Sequence, residues 1–554
     1  NEGQCFAQSS EVICNTLLKG CTFNKNHGGS GCVIYVDSVR ESNQPYITIQ
    51  DCTFTNNKAE YSWQPRGIIN ADALAIQFAG VNQFINNEAH QVNEDPENKD
   101  DNSYGGSLFL TQSTINEFTI SNLVFINSRA AYGGAISIFA KDFDEDSDSS
   151  QKSIFITVEN CTFTNCSAVK QGGALKCGAK ASHGGNYDND INISNCVFTN
   201  CKSLEGGALY FMDGDAVGDE ETVIQYCTFD GCESPIGSAI FCRSYTFTLS
   251  HSIFLNSKPS DQKTELSEAQ SFLFVNLDEG GVAPVVTNCT FYNNEQNIEF
   301  YSHGPDTEDG KVSSITFLQC NFSQNNIESN GADSILDLQY ITSALVKFED
   351  CIFERNSGCC LKQETDFVSN TVIERCKFNE NKGGSGCAIY AVTTIGKNPM
   401  TTVKDCTFNG NIVTSLWGPH GVICATTDSI KFEGVNQFIN NVVTYEKIER
   451  AMPSFSEGAC GGSIYLIQES DARFELKNAI FTNGYSSNYG GAISISCFED
   501  ENLFNKLFIN IVDCSFNNCS STYGGSFCSI IEGTITFENC KFFKGKAEKG
   551  ADIY

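Results

Sequence analysis

The chain has 554 residues with 67 Asp plus Glu against 35 Lys plus Arg, and its formal net charge is −32. Such a surface repels nucleic acid and anionic lipid and favours divalent cations or basic partners. No apolar run reaches the ~18 residues a membrane-spanning helix needs.

Helical periodicity is almost absent, and Pro is scarce (10 residues) beside 47 Gly, as expected where strands alternate with tight turns. Segments such as Ile47 to Phe54 and Ile154 to Phe163 alternate apolar and polar residues with period two, the pattern of a half-buried strand. Two short motifs recur. One is Phe followed by an Asn turn, with anchors at Phe23, Phe54, Phe84, Phe125, Phe163, Phe198, Phe229, Phe254, Phe291, Phe322, Phe353, Phe378, Phe408, Phe438, Phe481, Phe516 and Phe542, at intervals of 25 to 43 residues. The other is a Gly-Gly pair that launches a second strand, at Gly105-Gly106, Gly133-Gly134, Gly172-Gly173, Gly206-Gly207, Gly383-Gly384, Gly461-Gly462, Gly490-Gly491 and Gly524-Gly525. These spacings suit one turn of a solenoid and are too short for a domain. The expected fold is therefore all-β, one β-solenoid of roughly 17 coils, about 80 Å long at about 4.8 Å per coil. Stacked Asn side chains are expected to hydrogen-bond to their copies on neighbouring coils. Gly-Gly supplies a corner where φ is positive or a Cβ would clash.

A longer repeat overlies the short one. Gly80-Val-Asn-Gln-Phe-Ile-Asn-Asn87 returns as Gly434 to Asn441, and Gly28-Gly-Ser-Gly-Cys32 as Gly383 to Cys387. Residues 1–355 thus form a first long unit, and 356–554 a second, partial copy. Polar insertions at 88–104 and 442–460 share position but not sequence, the mark of surface loops. Further insertions follow the Gly-Gly strands, and one of them places Asp213, Asp215, Asp219 and Glu220 together. Those carboxylates have the oxygen count for Ca²⁺ without an EF-hand spacing, so the alternatives are a calcium site and a solvated acidic loop. No two of the six His residues share a metal-ligand spacing. Trp63 and Trp417 occupy matching turns, where each is either an exposed platform for a sugar or partner or a cover for a coil corner.

Twenty-eight Cys without a compact Cys/His cluster of the zinc type point to an oxidising compartment. Cys161 with Cys166, Cys196 with Cys201, Cys227 with Cys232 and Cys514 with Cys519 share one spacing. Disulfides across the turn within a coil, disulfides between neighbouring coils, and buried free thiols all fit that spacing. Glycosylation sequons occur at Asn160, Asn165, Asn192, Asn288, Asn321 and Asn518; Asn165 and Asn518 fall in the turn whose Asn is expected to face inward. A start at Asn1 in place of Met reads as the product of leader cleavage. The expected location is extracellular or at the cell surface, through a secretory route.

Gly133-Gly-Ala-Ile136, Gly172-Gly-Ala-Leu175, Phe84-Ile-Asn-Asn87 and Phe163-Thr-Asn-Cys166 together resemble the paired repeats of the chlamydial-type polymorphic outer membrane protein family. The resemblance covers nearly the whole chain and is weakest from 233 to 356. It implies a right-handed parallel β-helix of the pectin-lyase-like kind, in a surface or adhesive role. The chain departs from that family in having no C-terminal membrane barrel, and its cysteines and sequons suit a eukaryotic secretory route better. Polysaccharide lyases and hydrolases share the fold, but their Gly-His-Gly and Arg-Ile-Lys signatures are absent, so no catalytic residue carries over. The expectation is a structural protein without catalysis, a fibre or surface-coat subunit joining copies of itself head to tail. The alternatives are a monomeric adhesin whose loops bind glycans or other surface proteins, and a polysaccharide-cleaving enzyme.

Overall fold

The computed structural model describes all residues except 1–3, 9–14, 37–46, 93–100, 113–116, 141–151, 179–186, 212–220, 261–270, 303–313, 328–333, 338–344, 364–369, 393–399, 416–418, 446–457, 469–472, 498–506 and 530–532. The described chain is a parallel β-helix with no α-helix; a single 3-10 turn spans Ala73–Ala75. By internal contacts it divides into Asn1–Val282 and Ala283–Tyr554. The sequence repeat that reopens near residue 356 begins inside the second of these.

The coils have four sides, where the two motifs implied at least two strands. In the coil that opens after Gly172-Gly173, a strand launched by the glycines (Leu175–Cys177) is followed by a longer strand (Tyr187–Ser194). A phenylalanine strand (Val197–Thr199) and a return segment through Lys202 and Glu205 complete it. Every side pairs in parallel with its equivalents on neighbouring coils: Leu175 with Ile136 and Leu209, Ile193 with Val158 and Ile224, Phe198 with Phe163 and Phe229. Strand Glu88–Gln91 pairs with Lys58–Tyr61, and Val442–Tyr445 with Ile412–Ser415. The first residues of both presumed insertions are therefore return segments of the solenoid, and the inserted stretches start only after them.

The long strand and the phenylalanine strand read as one run in the sequence, yet a left-handed residue separates them. Asn160 (φ 54°) lies between Lys152–Glu159 and Thr162–Thr164, and Asp51 (φ 53°) between Ile47–Gln50 and Thr53–Thr55. A second left-handed residue follows each Phe by two, as at Asn56, Asn165 and Asn200. Asn and Asp tolerate this conformation better than other residues with a Cβ.

Within each unit every Phe anchor points into the coil and stacks on the next. In the first unit Phe23 to Phe254 form eight layers with ring centroids 4.7–5.0 Å apart. In the second, Phe291 to Phe542 form nine layers at 4.6–5.0 Å. The ring spacing is that of the strands themselves, so the core is as periodic as the backbone.

The expected Asn ladder runs beside the Phe stack, at the residue after each left-handed one. Asn26, Asn57 and Asn87 form it in the first unit, and Asn294, Asn325, Asn356, Asn381, Asn411 and Asn441 in the second. The interior rungs Asn57, Asn325, Asn356, Asn381 and Asn411 are fully satisfied. The Oδ1 of Asn381 accepts from the backbone N–H and the Nδ2 of Asn356 (3.1 and 2.9 Å), while its own Nδ2 donates to Asn411 Oδ1 (3.0 Å) and Phe353 O (2.9 Å). A buried amide is tolerated only with its partners in place.

The two glycines of a pair do different things. Gly172 has φ +65°, whereas a Cβ on Gly173 would lie 1.9 Å from the Gly207 carbonyl oxygen of the next coil. The first glycine makes the corner and the second lets neighbouring coils approach. Gly383-Gly384 departs from this scheme: its left-handed corner is Gly386 (φ +67°), and a Cβ on Gly384 would meet nothing within 4 Å.

Candidate functional site

The paired cysteines fall into two columns, one at each end of the phenylalanine strand. Cys161, Cys196 and Cys227 share one register, and Cys166, Cys201 and Cys232 the other. Cys161 and Cys166 are separated by the whole strand carrying Phe163, on the order of 10 Å or more at about 3.3 Å per residue. A disulfide tolerates about 7 Å between Cα atoms. The within-coil pairing is therefore not what the fold brings together; the partners at reach are on neighbouring coils. Cys514 faces Cys540 in this way, while Cys519 has Gly484 and Gly545 beside it.

The structure has these eight cysteines as thiols, and each performs a local task. Cys196 Sγ donates to Ser194 O (3.3 Å) and Val158 O (3.6 Å), much as Asn82 Nδ2, at the same corner elsewhere, donates to Ala79 O (3.0 Å) and Ile49 O (3.2 Å). Cys201 Sγ reaches Phe163 O (3.7 Å), the bond that Asn57 Nδ2 makes to Phe23 O (3.0 Å). Ser252 Oγ donates to Ser250 O (2.9 Å) at the position of Cys196, so Cys, Asn and Ser are interchangeable donors to corner carbonyls. Burial pushes the Cys514 thiol up to about 12 and Cys519 to about 11, and burial followed by the Cys166 and Cys232 thiols raises Cys201 well above its ordinary range. A thiol held protonated in this way is a poor nucleophile. Peptide mapping of the unreduced, denatured protein is expected to return thiols or links between neighbouring coils such as Cys161 to Cys196. A Cys161 to Cys166 link would contradict the register.

Outside the coil, the glycine-launched strands carry a second apolar layer. Phe109, Ser137, Lys176, Tyr210 and Phe241 occupy successive outward positions on one sheet. Tyr104 stacks on Tyr132 (4.9 Å) and Phe109 on Phe139 (5.6 Å), while Tyr210 stacks on Phe241 (4.9 Å). The Lys176 ammonium sits 4.3 Å from the centre of the Tyr132 ring and donates to Gln171 Oε1, whose Nε2 donates to the Tyr210 hydroxyl (2.9 Å). Burial raises the Tyr210 phenol far above its usual range. In the second unit Cys424, Cys460, Tyr465 and Ile467 make the equivalent layer. There His420 stacks on Tyr465 at 4.2 Å, and burial lowers its pKa to about 4. The signal was in the sequence: Leu209-Tyr-Phe211 and Ile240-Phe-Cys242 are apolar at every position, the pattern of a strand covered on both faces.

The remaining candidates scatter. Asp213, Asp215, Asp219 and Glu220 lie outside the described residues, as do Trp417, His183 and His303. Among the described residues no cluster of three or more His, Cys, Asp or Glu is disposed to hold a metal ion. Trp63 is 72% exposed and so gives its coil corner little cover. Asp101, at the end of the first insertion, accepts from His90 Nδ1 (3.1 Å) and from the backbone N–H groups of Gln91 and Ser103, which ties the insertion's ends together.

Of the sequons, Asn160, Asn165 and Asn288 are exposed at left-handed corners, and Asn192, Asn321 and Asn518 are half-buried. Asn165 and Asn518 do not face inward as expected, because Cys166 and Cys519 take the inward position. They belong instead to an outer Asn row, in which Asn200 donates to Asn165 (3.3 Å) and Asn518 to Asn483 (2.8 Å). No helix among the described residues is long and apolar enough to cross a membrane. No protein-family model, curated protein or solved structure matches the chain.

Proposed function

We propose that this is a structural protein of the cell surface or extracellular space, a rigid β-solenoid that displays its loops and supports assembly. The observation that carries this reading is the investment of polar chemistry in the scaffold: the buried amides of Asn325 to Asn411 and the thiols of Cys196 and Cys201 are occupied in binding one coil to the next. The polymorphic outer membrane protein resemblance points the same way. In its finer form the reading is a fibre or coat subunit stacking end to end. Support for that form is the repeat itself, since the in-register strands and flat rings that join Phe516 to Phe542 are a template any further coil can extend.

Electron microscopy of the dilute native protein tests the finer form, with filaments whose axial repeat is about 80 Å or more expected at about 4.8 Å per coil. Isolated short rods would overturn it and move the search to the loops, as the binding surface of an adhesin. Surface labelling of intact cells tests the location; protein reached only after lysis would overturn that.

A further inference from the structure

The outer side of the phenylalanine sheet in the first unit is almost free of charge. Each of its eight strands presents the two residues flanking Phe to solvent, and among these sixteen positions only Asp230 is ionised. Thr, Asn and Gln alternate there with aliphatic side chains, among them Ile85, Val124, Ile126 and Leu255. None of the sixteen is buried, and Val197 and Ile253 stand 38% and 39% exposed. In a chain of net charge −32, this run holds a single carboxylate over eight strands. The corresponding face of the second unit carries Glu354, Lys377 and Lys541. The long-strand side next to that face is laced with ion pairs such as Arg375 with Asp350 and Lys404 with Glu374.

We propose that this face is a lateral self-association surface, on which the first units of two copies of the chain pack sheet against sheet about a twofold axis. Three features favour a second copy as the occupant. Two acidic molecules repel wherever carboxylates face each other, and this face lets them meet without that repulsion. Its strand rows have the same spacing of about 4.8 Å in both partners, so the ridges of one copy register with the grooves of the other over the whole length. Its size is sufficient. Eight strands at about 4.8 Å and a width of about five residues at about 3.3 Å give roughly 600 Å² per copy, or about 1,200 Å² for the pair, the lower bound of a stable protein interface. Exposed β-branched side chains on a flat sheet are the usual liability of such a surface, and pairing covers them. The inference goes beyond end-to-end stacking and does not depend on it: a laterally paired protein that forms no filaments would refute the axial reading alone.

Sedimentation velocity of the purified full chain across the micromolar range, at low and high salt, is the test. A closed dimer is expected, and salt should strengthen it by screening the acidic remainder of the molecule. Val124→Glu with Val197→Glu should raise its dissociation constant by at least about a hundredfold, since like charges then meet in the interface. Val169→Glu, on the exposed return segment, should change it little, and all variants should keep the wild-type circular dichroism and melting temperature. A wild-type chain monomeric throughout at high salt, or a dimer indifferent to the paired substitution, would overturn the proposal. So would a monomer retained by an insoluble neutral polysaccharide through Val124 and Val197, because the face would then belong to a glycan.

Discussion

Replacing Asn381 by Leu should destabilise the second unit by roughly 2–6 kcal/mol, although Leu is apolar, of similar size and enters a buried position. The Oδ1 of Asn381 is the acceptor for two donors of Asn356, its backbone N–H at 3.1 Å and its Nδ2 at 2.9 Å, and its Nδ2 serves Phe353 O at 2.9 Å. The Leu variant leaves the Asn356 N–H and one of its Nδ2 hydrogens without partners in a place water does not enter, and takes a side-chain donor from Phe353 O. Each such orphan costs about 1–3 kcal/mol. Asn381→Cys should cost less, about 1–2 kcal/mol, because a thiol supplies a weak donor and the equivalent corner holds Cys201 elsewhere in the chain, with Sγ 3.7 Å from Phe163 O. Urea denaturation of the full chain, with hydrogen exchange read over Ile352 to Asn409, measures both. An Asn381→Leu chain within about 1 kcal/mol of wild type, below the least that two orphans cost, or an Asn381→Cys chain as damaged as Asn381→Leu, would show that the ladder is decorative.

The solenoid was legible because its signals sit where the physics is strictest. Within each unit the Phe anchors pair in register with their neighbours, since a ring stacked every coil admits no substitute of other shape, and the Asn ladder follows from the same stacking. What was missed lies in phase rather than in composition. Ile156, Val158, Cys161 and Phe163 all point inward, so the spacing slips from two to three between Val158 and Cys161. It slips again between Phe163 and Cys166. Those slips mark the left-handed residues Asn160 and Asn165, and reading across them merged two strands into one and turned Asn165 the wrong way. The cysteines left three readings open for a different reason. A residue that alternates with Asn and Ser at one structural position is acting as a hydrogen-bond donor, a meaning that an even spacing of thiols conceals. The acidic sequence at 213–220 follows from no repeat. Among the outer features the Tyr210 and Tyr465 layers were readable, had the absence of alternation in their strands been given the weight that its presence received elsewhere.

Phe378→Ala is expected to cost about 3–5 kcal/mol, the range for deleting a buried aromatic ring without collapse of the space it leaves. Collapse is hindered here more than in an ordinary core. Phe353 and Phe408 lie 4.7 and 4.8 Å from Phe378 with interplanar angles of 2° and 5°, and the strands that carry them are pinned by parallel pairing at Phe353 and Phe408. The rings cannot approach across the gap unless those strands give up their register. The loss should also stay local. In a solenoid each coil touches only its neighbours, so stability is close to a sum over coils and interfaces, and hydrogen exchange should accelerate around Ile352–Glu354, Lys377–Asn379 and Thr407–Asn409. Exchange at Phe481 and Phe516, three and four layers away in the stack, should remain as in the wild type. Uniform acceleration across the second unit would mean that the coils unfold as one cooperative body, and the nearest-neighbour account would fail even if the total cost came out as expected.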